Sequence, residues 1–134
     1  MLKRIIPFFT LFVVAFVLSA CGTSTPEKTA EKFIAAVYGG DADTMMSLVY
    51  LPEEQKKPGM EEMAKGKLTQ IAGQGKHKAS EMGGVKKIAA EAAQYSDDKT
   101  RARVTVTVTF KKDNVEKTEN VRLIQYNKEW KVNL

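Results

Sequence analysis

The side chains with chemical reach in this chain are few and scattered. His77 is the lone histidine and sits in Gln74-Gly75-Lys76-His77-Lys78, flanked by lysines and glycine as an exposed loop would be. That setting reads as a solvated surface histidine rather than a catalytic base. Asp41 and Asp43 are spaced as an acid pair, yet Asp41 also falls where a helix N-cap is needed. Met45, Met46, Met60, Met63 and Met82 crowd one half of the folded segment. Thioethers of Met60, Met63 and Met82 with His77 would form a soft set suited to Cu(I). The same residue type also fills irregular cores and lines adaptable apolar grooves. The sequence holds no Ser-His-Asp arrangement, CxxC, HExxH or phosphate loop. It predicts no catalytic centre, no metal site and no cofactor.

Cys21, the single cysteine, has a better defined chemistry. It follows "MLKRIIPFFTLFVVAFVLSA", in which Lys3 and Arg4 precede an apolar run from Ile5 to Leu18. That run is shorter than the roughly twenty residues that span a bilayer. A positive start, a short apolar stretch and small residues before a cut describe a secretory signal peptide. Leu18-Ser19-Ala20-Cys21 resembles the lipobox of bacterial lipoproteins, which a dedicated signal peptidase recognises. The resemblance implies removal of residues 1–20, diacylglycerol on the Cys21 sulfur and attachment of the chain to a membrane. Each buried methylene contributes about 0.8 kcal/mol, so two or three acyl chains hold firmly. Gly22 follows the cysteine. In a Gram-negative cell this implies the outer membrane, facing the periplasm; in a Gram-positive cell it implies the outside of the only membrane.

Without residues 1–20, 114 residues remain, enough for one compact domain. Their 19 basic and 16 acidic side chains leave about +3. This is far from the bias of a nucleic-acid binder, so nucleic acid is not an expected partner. Charge is nonetheless uneven. From Lys56 to Lys87 eight lysines oppose Glu61, Glu62 and Glu81, a surface suited to anionic lipid, peptidoglycan or another envelope protein.

Residues 21–26 read as anchor and tether, and 27–134 as a single α+β domain. Ser24 or Thr25 can cap a helix opened by Pro26. Ala30, Phe33, Ile34, Val37 and Tyr38 give it one apolar stripe, and Gly39-Gly40 ends it. A short helix follows Asp41 and stops before Pro52. A third is expected from Gly59 to about Gly75. After Gly83-Gly84 the period becomes two. "RARVTVTVTF" places Ala102, Val104, Val106, Val108 and Phe110 on one face and its threonines on the other. "VEKTENVRLIQY" is a second strand; Val121 and Leu123 oppose Ile124 and Tyr126, which predicts a bulge or burial on both faces. "WKVNL" closes the chain with Trp130, Val132 and Leu134 inward. "VKKIAAEAAQY" (85–95) has helix-forming alanines but precedes a turn and a strand, so strand is the preferred reading.

Helices first and an antiparallel meander after predict helices packed on a curved sheet of three to four strands. The order of lipobox, "TPEKTAEKFIAAVYGGDADTMMSLV" and a closing "EWKVNL" resembles the domain-of-unknown-function family numbered 4878. That family lies within the nuclear-transport-factor-2-like (cystatin-like) superfamily. The resemblance is weakest over 53–84. It implies a cone with an apolar mouth and brings no established activity. Enzymes of the superfamily place an Asp–His or Tyr–Asp pair in the cone; the inward valines of 104–108 and Phe110 predict no such pair here. The expected apolar pocket comprises Phe33, Val37, Met45, Met63, Val106, Val108 and Trp130. A membrane-anchored binding or structural module is the functional expectation, with a small-molecule enzyme of the same superfamily as the alternative.

Overall fold

The computed structural model describes residues 25–53 and 56–134. The expected signal segment and the expected recognition and lipidation residues Leu18, Ser19, Ala20 and Cys21 lie outside the described residues. No described helix is long and apolar enough to cross a membrane.

Helix α1 (Pro26–Gly39) starts as its sequence dictates. The Thr25 hydroxyl accepts the Lys28 N–H at 3.2 Å, and Pro26 occupies the first turn. It stops at Gly40, whose φ of 71° is left-handed; there the chain turns and the final carbonyls are satisfied. Helix α2 (Ala42–Leu48) is capped by Asp41, which accepts the N–H and hydroxyl of Thr44 at 3.1 and 2.6 Å. Helix α3 (Met60–Glu81) runs past its expected end at Gly75. Gly75 does not break the helix because tertiary contact outweighs propensity. It is buried against α1, and a Cβ there would overlap the Val37 carbonyl. Gly66 and Gly73 meet open space.

The strands are β1 (Val85–Ala90), β2 (Gln94–Tyr95), β3 (Arg101–Phe110), β4 (Glu116–Tyr126) and β5 (Glu129–Val132). All pair antiparallel in the order β1-β3-β4-β5, with the two-residue β2 prolonging the line of β1 along β3. Residues 85–90 are therefore strand. At the end of β1 and in the gap before β2, α1 supplies acceptors for the sheet. Glu31 accepts the Ala90 N–H at 3.1 Å, and Glu27 accepts that of Ala93 at 3.0 Å. Two carboxylates one helical turn apart thus satisfy donors that no strand could reach.

β3 alternates as its sequence requires, with Val104, Val106, Val108 and Phe110 buried. They pack with Val121, Leu123, Trp130 and Val132 under Phe33, Ile34 and Met45. The β3–β4 register is unbroken from Arg101↔Ile124 to Thr109↔Glu116. The irregularity lies in β1, between Val85 and Lys87. β4 is instead covered on both faces near its end, where Tyr126 meets Tyr50 at 5.2 Å. Leu134, beyond the last strand, is not buried: it is 64% exposed and lies at the open groove on the inner side of the sheet.

Candidate functional site

The helices do not close over the whole concave face of the sheet. Between α1, α3, the first half of β4 and the end of β5 lies an open groove of about 700 Å³. Phe33, Ile34, Val37, Ile71, Val121 and Val132 give it an apolar floor. Lys78, Lys117, Glu119 and Arg122 stand around it.

Strand parity explains Lys117 and Glu119. Glu119 lies opposite Val106 and Lys117 opposite Val108, so both rise from the face that carries Val121 and Leu123. Tyr38, on the last turn of α1, reaches them. Its hydroxyl donates to Glu119 Oε1 at 3.0 Å, and Lys117 Nζ lies 3.3 Å from the same oxygen. The Tyr38 ring sits edge-on to Phe110, with centroids 5.5 Å apart. Burial, then the charge and hydrogen bond of Glu119, push its pKa from 10.0 to about 12. Such a phenol keeps its proton through neutral pH and acts as a donor; it is poorly placed to serve as base or nucleophile.

A tyrosine–carboxylate pair therefore does lie on the inner face, contrary to the expectation drawn from β3. It comes from β4, where Lys117 and Glu119 alternate in phase with Val121 and Leu123. That phase was the available signal.

The residues expected to form one pocket occupy three places. Phe33 and Val37 line the groove. Met45, Val106, Val108 and Trp130 are buried in the core, and Met63 is 68% exposed on α3. The candidate soft-metal set is also dispersed. Met60 and Met63 open α3, whereas His77 and Met82 lie at its far end, about 20–33 Å along the axis. His77 lies within α3 and not in the loop its flanks suggested, because the helix runs on to Glu81; it is exposed there and pairs with Glu81 at 2.8 Å, one turn on. Asp41 is the α2 cap, while Asp43 pairs with Lys65 at 3.4 Å. Among the described residues no three His, Cys, Asp or Glu side chains gather as a metal site.

Helices laid across a curled antiparallel sheet, with a groove on its inner face, define an NTF2-like α+β cone. The chain belongs to the family described as Domain of unknown function (DUF4878), whose model matches residues 19–133. A crystal structure of a provisionally assigned NTF2-like transpeptidase from Campylobacter jejuni is similar throughout. It is 32% identical with a TM-score of 0.75, covering 83% of this chain and 99% of that one. The intermembrane-space region of the chloroplast protein ARC6 is 14% identical with a TM-score of 0.37, covering 83% of this chain and 95% of that chain; it is too distant to define a shared architecture. No curated protein matches the chain.

Proposed function

We propose that this chain is a lipid-anchored envelope protein whose folded part binds an envelope component in the groove and does not turn it over. The anchor reading rests on the Leu18-Ser19-Ala20-Cys21 pattern. The binding reading rests on one observation: an apolar-floored groove of about 700 Å³, bordered by Lys78, Lys117, Glu119 and Arg122 with cations in excess. Binding sites are commonly concave and mostly apolar, with a few polar groups that fix orientation. An acyl chain, a small apolar molecule or a partner's side chain would satisfy the floor, and an anionic group would satisfy the rim.

The description of the C. jejuni relative supports a second reading, acyl transfer. That chemistry needs a nucleophile to hold the acyl group. Tyr38 is the one hydroxyl among the groove-lining side chains, and its proton is held by burial and by Glu119. The arrangement favours binding. Native mass spectrometry of the protein extracted from its own envelope tests this. A bound molecule lost on Val37→Glu supports the groove reading, and a covalent adduct on Tyr38 supports acyl transfer. An empty wild-type protein counts against both.

A further inference from the structure

β4 is paired along its full length on one side only. β5 joins its other side over Leu123–Tyr126, and a last bond, Asn133 N–H to Arg122 O at 2.8 Å, ends that ladder. On the β3 side, Phe110 N–H reaches Val115 O at 2.8 Å and Gln125 N–H reaches Thr100 O at 2.7 Å. Odd-numbered residues of β4 therefore bond to β3. In an antiparallel ladder, alternate residues present their N–H and C=O to opposite sides. Glu116, Thr118 and Asn120 consequently aim theirs away from β3, where no strand lies among the described residues. The far edge of β5 is not open in this way, since Val132 O takes the Tyr50 N–H at 2.8 Å.

An unpaired edge is a template for a further extended chain. This one borders the groove, because Asn120 and Arg122 line it together with the inward Lys117 and Glu119. Charge selects the occupant. Glu119 is already engaged by Tyr38 and Lys117, and Lys78 across the groove has no acidic partner among the described residues. An incoming acidic side chain would be attracted there; a basic one would be repelled.

We infer that the groove takes an extended, acidic–apolar polypeptide segment, added as a strand antiparallel to β4 over Glu116–Asn120. This deepens the groove-binding reading and rests on it. The added strand runs on from the line of β5 for about 17 Å, five residues at strand rise. Main-chain bonds to Glu116, Thr118 and Asn120 supply affinity. Alternate side chains, one acidic beside Lys117 and Lys78 and one apolar over Val37 and Ile71, supply selectivity.

The test uses the full chain in detergent and a fluorescent hexapeptide, Thr-Val-Thr-Glu-Thr-Val. In the proposed register its glutamate lies opposite Lys117, and its final valine lies opposite the exposed Val115. Binding should weaken at least tenfold when the probe's middle threonine is N-methylated, and likewise when its glutamate is replaced by lysine. Thr118→Pro should have the same effect. Its N–H is not used by β3, and proline is tolerated at such edge positions, so circular dichroism should be unchanged. The N-methylated probe gives the same answer without altering the protein. Binding indifferent to both N-methylation and Thr118→Pro overturns strand addition, as does no binding at millimolar probe. Cargo retained by Thr118→Pro in native mass spectrometry would then leave the groove reading standing alone. A wild-type dimer that Thr118→Pro converts to monomer also overturns it, because the edge then belongs to a second copy.

Discussion

Tyr38 does two things at once: its ring closes the core against Phe110, and its hydroxyl holds Glu119 at the groove. The second role has a pH signature. In the unfolded chain the phenol ionises near 10.0, and in the fold near 12. A folded pKa raised in this way contributes stability that is complete below pH 10 and is lost as pH rises from 10 toward 12. Tyr38→Phe should flatten that alkaline fall and remove the highest-titrating tyrosine from an ultraviolet titration. At neutral pH it should cost about 0.5–1.5 kcal/mol for the lost hydrogen bond; an unaltered alkaline profile would show that Tyr38 is not the group responsible. Residues with a local explanation are legible at this scale: Asp41 caps, and His77 stays at the surface. Tyr38–Glu119 is not, because 81 residues separate the two and only the register of β4 on β3 brings them together.

Among the elements, α1 and β3 are the most readable, since capping chemistry and period-two alternation act within a few residues. α3 is longer than its sequence suggests. Its glycines look alike in sequence, and only the α1 contact separates Gly75 from Gly66 and Gly73. The distinction can be measured. Gly75→Ala should force the two helices apart and cost about 1–3 kcal/mol, as overpacking does. Gly73→Ala should gain up to about 1 kcal/mol from helix propensity in open space. Chemical denaturation of both variants decides it; equal effects would remove the claim that Gly75 sets the α1–α3 approach. The groove depends on that approach, because Val37 and Gly75 both line it. The loss should therefore extend to ligand binding.

For the molecule as a whole, composition and element order are enough to indicate helices on an antiparallel sheet. The groove was not foreseeable from apolar residues alone. Five of the seven expected pocket residues are buried in the core, and of these only Phe33 also reaches the groove, since a chain of this size needs its largest side chains for packing. Attachment is a separate question from the fold. Cys21→Ala should leave the precursor unprocessed and abolish incorporation of radioactive palmitate, and persisting label would exclude Cys21 as the lipidated residue. The fold itself should be unaffected, because the described core begins only at Pro26.

That starting point makes α1 a spacer as well as a packing element. Pro26 opens the helix five residues after Cys21, so a lipid on the cysteine would tether α1 by its N-terminal end. Phe33 to Tyr38 then sit about 10–18 Å further along at 1.5 Å per residue. With Cys21 acylated, the groove residues of α1 would be set back from the point of attachment by that length of helix in addition to the tether.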